Sequence, residues 1–193
     1  MWTFDEIKDD LKKRLKETRF KHTLGVVDTS LKLSKYYGYS SEKASFAALL
    51  HDCGKLKDQE MMDNAVNKYP IVIDSFMLEN KQLIHAPLGE AIARKRYGVL
   101  DEDILQAIRN HTVGNINMSK LDKIIYISDI IEPSRTFDNI DYLRKLALKD
   151  LDEACIACMD NTIRFLIMKH WMIDPNVIEA RNTCIQNLKN KEK

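Results

Sequence analysis

The sequence lacks long apolar runs and is poor in glycine, proline and cysteine. No run approaches the roughly 18 apolar residues that a membrane span requires. Charged residues begin at residue 5, so the N-terminal stretch has no signal-peptide core. We therefore expect a cytoplasmic protein without membrane contact, in which the four cysteines are reduced thiols.

The sequence also lacks an excess of charge of either sign. Lys and Arg number 30, Asp and Glu number 29, and the formal net charge is +1. A general nucleic-acid binder needs a strong basic field, so the charge balance disfavours that class. It leaves room for a small basic pocket that binds a phosphorylated molecule. The hydrophobic fraction of 45% is ordinary for a globular protein of 193 residues.

Six glycines and four prolines favour long helices with short connections. A possible capping box at Thr3 and Glu6 opens the first helix. Further helices are predicted at about 18–37, Ser40 or Ser41 to His51, Asp58 to near Pro70, Pro87 to Gly98, Asp101 to about His111 and Ser119 to before Pro133. Two or three more are predicted after them, around 139–148, 150–170 and 175–190. The segment PIVI at 70–73 could form a strand, but it has no evident partner strand.

We find no repeat, low-complexity stretch or linker. The prediction is one all-α domain over residues 1–193, a helical bundle with its core at about 3–170 and a C-terminal helix at about 175–190. The last residues, NKEK at 190–193, are expected to fray.

Asp129 lies inside IIYISDII, where almost every neighbour is apolar. On a helix that is apolar nearly all round, this carboxylate is expected to be buried, and burying it unpaired costs several kcal/mol. It therefore needs a cation. An arginine such as Arg109 or Arg135 is one candidate, and a metal ion is the other.

His51 and Asp52 follow the apolar end of LLHDCGK at 49–55. Consecutive side chains diverge by about 100° within a helix, but at a helix end before Gly54 both can reach one point. His22 alone is more often a satisfied core histidine. With Asp129 these residues offer two imidazoles and two carboxylates, which suits Fe(II), Mn(II) or another divalent ion. Positions left open on such an ion accept water and lower its pKa.

The order of His22, His51–Asp52 and Asp129 resembles the HD-domain superfamily of metal-dependent phosphohydrolases, and LLHDCGK is similar to that family's core motif. The stretches ETRFKHTLGV (17–26), IHAPLGEAIA (84–93) and IRNHTVGNINMSKLDKIIYISDIIEPSRTF (108–137) resemble the YqeK subfamily of symmetrical bis(5′-nucleosyl)-tetraphosphatases. The likeness covers about residues 3–170. Ser128 and Glu90 depart from the subfamily pattern beside the expected site, where they bear on specificity more than on chemistry.

The resemblance implies an HD-type bundle with a metal site in its core and hydrolysis of diadenosine tetraphosphate to two ADP by a metal-activated water. The implied ligands are His22, His51, Asp52 and Asp129. One ion, with Fe preferred over Mn or another divalent metal, is expected rather than two. Some HD enzymes hold a second ion with two intervening histidines. In this subfamily His85 and His111 are instead expected to face the phosphates and to protonate the leaving group.

The substrate is expected to be a nucleotide, with an ADP-like or GDP-like product and charge that must be neutralised. Lys55, Arg19 and Arg135 are predicted to bind its phosphates. Asp52, Asp129, His85 and His111 complete the predicted substrate contacts, and Asp52, Lys55, His85 and His111 are the predicted catalytic residues. The base partner stays open between Tyr126 and Phe137, and a homodimer is considered.

Two alternatives stay open at this point. Another HD phosphohydrolase would act on a dNTP, a nucleoside monophosphate or a guanosine alarmone. A non-catalytic nucleotide or metal sensor is disfavoured by the intact ligand set. Cys155 and Cys158 lack the second pair that a zinc site requires, so they are interpreted as small buried residues. His170 is interpreted as structural or exposed.

Overall fold

A computed structural model describes residues 1–191 of the chain. Within that range it contains no β-strand, which confirms the all-α prediction. Its helices are α1 (Phe4–Arg14), α2 (Glu17–Tyr36), α3 (Ser41–Leu50), α4 (Gln59–Lys68), α5 (Ser75–Glu79), α6 (His85–Lys95), α7 (Glu102–Asn110), α8 (Lys120–Ile131), α9 (Ile140–Leu146), α10 (Leu151–Met168) and α11 (Pro175–Lys191), with a 3-10 turn at Lys81–Ile84.

Side-chain caps fix most of the helix starts that the sequence predicts. Thr3 with Glu6, and Ser119 with Asp122, each form a complete capping box. Gly38 adopts a left-handed φ of +60° just after α2, a conformation that glycine tolerates without strain. Local polar chemistry therefore sets these boundaries, as the pattern indicated.

The PIVI segment does not form a strand. Residues 70–74 have no regular structure and lead into α5, where Asp74 accepts a hydrogen bond from Met77 N. No strand edge exists among residues 1–191 to pair with it. Helix α6 begins at His85, two residues before the predicted start at Pro87, because proline is tolerated in the first helical turn.

Helix α3 lies at the centre and packs against α2, α7 and α8. Its C-terminal half, from Phe46 to Leu50, is buried, and Ala44, Ala47 and Ala48 let its neighbours approach closely. On the far side α10 packs against α8, and α11 packs against α10. The end of α3 therefore meets α2, α7 and α8 inside the bundle.

The structure also bears on the expectations for membrane spans, for the cysteines and for His170. None of the described helices combines the length and apolar content of a membrane span. Cys155 and Cys158 are buried free thiols on α10, as interpreted. His170 is exposed at the end of α10. The expected fraying at 190–193 falls partly on residues 192 and 193, which lie outside the described range. The end of the predicted domain lies outside that range too.

Candidate metal and phosphate site

The structure brings the four predicted metal ligands together. The ligand atoms of His22, His51 and Asp129 all lie within 4.8 Å of one another. Asp52 Oδ2 lies 3.3 Å from His51 Nε2 and 3.9 Å from His22 Nε2. His22 comes from α2, Asp129 from α8, and His51 with Asp52 from the turn that ends α3. Asp52 also forms a second such group with His51 and His111, so the two groups meet at His51 inside the bundle.

Backbone carbonyls orient three of the histidines in the same way. Nδ1 of His51 and Nδ1 of His111 each lie 2.7 Å from the carbonyl oxygen three residues earlier, and Nδ1 of His85 makes the equivalent bond. A carbonyl only accepts, so Nδ1 carries the proton and donates it. In the neutral ring Nε2 then presents a lone pair, and these lone pairs face the cluster.

Glu132 orients His22 and was not predicted. Its carboxylate is 1% exposed and accepts from His22 Nδ1 over 3.0 Å. Ser134 holds it through its backbone N–H, at 2.7 Å, and through its hydroxyl. A Cβ on Gly25 would lie 2.5 Å from Glu132 Oε2, so glycine at this helical position makes room for the carboxylate. The only sequence signals were a glutamate three residues after Asp129 and a glycine inside α2.

Unsatisfied polar atoms show that the cluster fits a cation. Within the described part of the chain, Nε2 of His22, Nε2 of His51 and Oδ1 of Asp52 are buried without a hydrogen-bond partner. His22 Nε2 lies 2.9 Å from Asp129 Oδ1, but the approach lacks hydrogen-bond alignment. Such orphaned groups cost free energy. A divalent ion bound among these lone pairs would satisfy them.

Asp52 lies at the centre of the polar network. Its Oδ2 accepts from Arg19 over 2.8 Å, and its Oδ1 lies 3.3 Å from Lys55 Nζ. The same Oδ1 is 3.4 Å from His85 Nε2 and 3.5 Å from His111 Nε2. Burial raises the pKa of Asp52, but the neighbouring histidines and Lys55 outweigh burial and hold the pKa well below its usual value. Asp52 is therefore ionised near neutral pH.

Arg135 pairs with Asp129 from the segment that follows α8. It donates over 2.8 Å to Asp129 Oδ1 and over 3.0 Å to the Asp129 carbonyl. Burial raises the pKa of Asp129, and His22 and Arg135 help to lower it well below its usual value. Arg109, the other candidate partner, binds Glu90 instead. The ion-pair and metal alternatives are therefore compatible, since Asp129 contacts both Arg135 and the His22 imidazole.

His85 and His111 form a second pair beside Asp52. Their Nε2 atoms are 3.1 Å apart, and the Thr112 hydroxyl lies 3.3 Å from each. Burial lowers the pKa of His85 well below its usual value, so this ring is neutral near pH 7. Sequence reasoning missed Thr112, because a threonine beside a histidine carries no pattern of its own.

Close packing explains two residues of LLHDCGK. A Cβ on Gly54 would lie only 2.2 Å from the His85 carbonyl oxygen, so the turn after α3 can approach α6 only with glycine there. Cys53, for which the sequence indicated no role, donates its thiol to the Gly89 carbonyl over 3.2 Å. Both contacts fix His51 and Asp52 relative to His85.

The HD domain family matches residues 19–134, which is more than half of the chain. The chain belongs to the HD-domain family. All four clustered ligands, with His85 and His111, fall inside the matched range, and Arg135 lies one residue beyond it. Membership in the HD-domain family implies that the cluster binds a divalent metal ion.

Individual relatives agree with this family and with the sequence resemblance. A symmetrical bis(5′-nucleosyl)-tetraphosphatase of Halalkalibacterium halodurans is 39% identical over 91% of this chain and 93% of its own length. The protein of the same name from Bacillus subtilis is also 39% identical, over 91% and 94%. A Clostridium acetobutylicum crystal structure, described as an HD superfamily hydrolase involved in NAD metabolism, is 43% identical with a TM-score of 0.90, covering 97% of this chain and 99% of that one.

Neither aromatic candidate for base contact is clearly placed for that role. Tyr126 is 1% exposed and packs in the core of this HD domain, so it offers no free face to a base. Phe137 is partly buried against the same core. Ser128 and Glu90 are the two residues that depart from the subfamily pattern. Ser128 is fully buried, and Glu90 forms an ion pair with Arg109.

Proposed function

We propose that this chain hydrolyses dinucleoside tetraphosphates symmetrically and converts diadenosine tetraphosphate into two ADP. The observation that carries the proposal is a ring of cations around the cluster. The side chains of Arg19, Lys55 and Arg135 are 31%, 33% and 39% exposed while each contacts a ligand carboxylate. Cleaving a polyphosphate requires neutralising charge on the attacked phosphoryl group. The two relatives named for this activity support the same reading.

We assign one divalent ion, Fe before Mn, to His22, His51, Asp52 and Asp129. An ion held there would supply a Lewis acid and lower the pKa of a water molecule. Glu132 keeps the His22 lone pair turned toward that position. Asp52 Oδ1, which is buried without a hydrogen-bond partner among the described residues, is placed to accept a hydrogen bond from an attacking water and so to orient it.

The three cations around the cluster are assigned to binding the phosphates of the substrate. Arg135 and Arg19 offer guanidinium donors to phosphoryl oxygens, which they can bind in bidentate fashion. Lys55 adds a positive charge on the Asp52 side of the site. In-line attack at a central phosphorus breaks its bond to a bridging oxygen, and that oxygen leaves as part of a nucleoside diphosphate.

His85 and His111 are placed to protonate the leaving oxygen. Since Nδ1 of each ring donates to a carbonyl, Nε2 can donate only in the imidazolium form. Burial disfavours that form of His85. The negative charge of a bound polyphosphate favours it, so protonation of His85 is coupled to substrate binding.

Three broader assignments belong to the same proposal. We assign residues 1–193 to one HD domain and expect a cytoplasmic enzyme. A homodimer is supported by exposed large apolar side chains near the end of α10, where Phe165, Met168 and Trp171 are 47%, 73% and 56% exposed. Sedimentation of the wild type and of Trp171→Glu tests the homodimer. A monomeric wild type would contradict it.

The activity is tested with anaerobically purified, Fe(II)-loaded protein incubated with diadenosine tetraphosphate, followed by chromatographic separation of the products. ADP as the sole product is expected. AMP with ATP would contradict symmetrical cleavage. Cleavage of dNTPs or guanosine alarmones without cleavage of diadenosine tetraphosphate would place the chain among the other HD phosphohydrolases.

A further inference from the structure

A cleft of about 660 Å³ lies between α6, α7 and the start of α11. The proposed chemistry makes no use of it. Its volume falls in the range of roughly 300–1,000 Å³ that is typical of small-molecule sites in proteins. The question is which molecule would fill it.

The cleft borders the metal cluster through Thr112. This residue lines the cleft, and its hydroxyl lies 3.3 Å from Nε2 of both His85 and His111. Leu83 and Ala86, which flank His85 along the chain, line the cleft as well. A molecule whose phosphates contact the histidine pair would therefore have its remaining part beside this cleft.

The walls combine apolar and polar side chains, and the apolar part includes the irregular segment at 70–73. Ile71 and Val72 from that segment face the cleft together with Met77 and Val113. Val72 is 87% exposed, although it lies in an irregular stretch that contributes little to the core. An apolar side chain so placed gains little from folding. It would gain from covering the apolar face of a bound molecule.

Polar groups make up the rest of the lining, and they include the charged side chains of Glu90, Arg94, Lys95 and Arg109, in which Glu90 pairs with both arginines. Asn110, Asn115 and Asp174 supply amides and a carboxylate, and Asp174 is only 8% exposed. A nucleobase combines flat apolar faces with donors and acceptors along its edge, so it matches this mixture of lining groups.

We propose that the cleft binds one nucleoside of the dinucleotide substrate, whose phosphates pass Thr112 to reach the metal cluster. This inference rests on the proposed function for the identity of the substrate. The binding of a nucleoside diphosphate product can nevertheless be measured without turnover, which separates the two.

The test measures the affinity of Mn(II)-loaded protein for ADP and for inorganic pyrophosphate by calorimetry. Wild type is expected to bind ADP at least tenfold more tightly than pyrophosphate. Ala91→Phe fills the cleft from α6, and Val72→Asp alters an exposed wall residue that folding does not need. Both variants should lose the advantage of ADP and keep the wild-type affinity for pyrophosphate, while Ala91→Ser, the matched control, keeps both affinities.

Equal affinities of the wild type for ADP and pyrophosphate would overturn the inference, as would variants that still bind ADP like the wild type. Turnover of diadenosine tetraphosphate by the wild type reports on the function separately. Turnover with unchanged ADP binding in both variants would refute the cleft alone. No turnover, with ADP binding lost in both variants, would refute the function and leave the cleft as a nucleoside site.

Discussion

The Glu132 carboxylate lies 3.0 Å from Nδ1 of His22 and thereby determines which nitrogen of that ring faces the metal cluster. A carboxylate is only an acceptor when ionised, so His22 donates from Nδ1 and presents the Nε2 lone pair. Burial raises the pKa of Glu132, but bonds from Ser134 and His22 outweigh burial and lower it. Glu132 therefore stays charged near neutral pH and strengthens His22 as a ligand.

Removing this carboxylate should weaken metal binding without removing a ligand. We expect Glu132→Ala to reduce affinity for Mn(II) by about 10- to 100-fold, the usual effect of losing such a partner. Glu132→Gln, whose amide oxygen can still accept from Nδ1, should lose less. Titration of apo protein with Mn(II) measures both variants. Wild-type affinity in Glu132→Ala would show that His22 does not depend on Glu132.

Gly25→Ala should cause part of the same loss of metal affinity, because residue 25 of α2 lies against the Glu132 carboxylate. The new Cβ would lie 2.5 Å from Glu132 Oε2, so the carboxylate must move away from His22. Alanine is otherwise favoured over glycine inside a helix by roughly 0.5–1 kcal/mol. Metal affinity is therefore expected to fall while far-ultraviolet circular dichroism stays that of a native helical protein. An unchanged affinity would mean that Glu132 relaxes without releasing His22.

Asp129 and its partner Arg135 should separate metal binding from substrate binding. Asp129→Ala is expected to lose both bound metal and activity, because it removes a ligand. Arg135→Met should keep the metal and lower kcat/KM by about 10- to 100-fold, the equivalent of one charge-assisted phosphate contact. Metal analysis and steady-state kinetics measure the two effects.

Exposed Lys57 provides the matched control for Arg135. Its replacement by methionine removes an exposed positive charge two residues after Lys55 that forms no ion pair with the cluster in the described part of the chain, so kinetics should not change. Metal and activity retained in Asp129→Ala would show that the assigned ligand set is wrong. Loss of metal in Arg135→Met would assign Arg135 a structural role instead.

His111→Ala tests the number of ions. With one ion at the four-residue cluster, wild type should hold one metal per chain, and the variant should keep it while turnover falls by about 10²- to 10⁴-fold. A fall from two metals to one would assign His85 and His111 to a second ion. Metal analysis after anaerobic loading and desalting gives the counts, and His170→Ala, which changes an exposed histidine, is the control.

The features that could be predicted from the sequence are those with a signal in the local sequence. Helix limits followed from caps such as Thr3 and Ser119, which act within three residues of their partners. The clustering of His22, His51, Asp52 and Asp129 followed from polar residues in apolar settings and from the family resemblance. Their role as ligands stays a prediction, but the structure does bring His22, His51 and Asp129 together, with Asp52 beside His51.

The residues that sequence reasoning missed depend on contacts across the fold. Glu132 meets His22 across 110 residues, and before Pro133 its sequence context resembles an ordinary helix end. Thr112 acquires its position only when α6 and α7 bring His85 and His111 together. The cleft likewise exists only because an irregular segment, two helices and the start of α11 meet. No local periodicity encodes such meetings.

Asp10 should make stability depend on pH. It accepts bonds from Arg96 at 2.7 and 2.9 Å and from the Tyr97 hydroxyl at 2.8 Å, which tie α1 to the end of α6. Burial raises the pKa of Asp10, but the bonds from Arg96 and Tyr97 lower it by more than burial raises it. The net pKa in the folded state is therefore depressed. A depressed pKa stabilises the folded state above the unfolded-state value of about 3.9, and this contribution is lost as the pH falls through the folded-state pKa.

Asp10→Asn should therefore lower the free energy of unfolding at pH 7 by about 1–3 kcal/mol, the range for hydrogen bonds to a charged group. The difference from wild type should shrink as the pH is lowered from 5 toward 3, since Asp10 then binds a proton in the unfolded wild type before it does so in the folded state. Urea unfolding at each pH measures it. Asp9→Asn changes an exposed carboxylate on the same helix and should show no such convergence. A difference that stays constant with pH would mean that the bond geometry stabilises this contact and the charge of Asp10 does not.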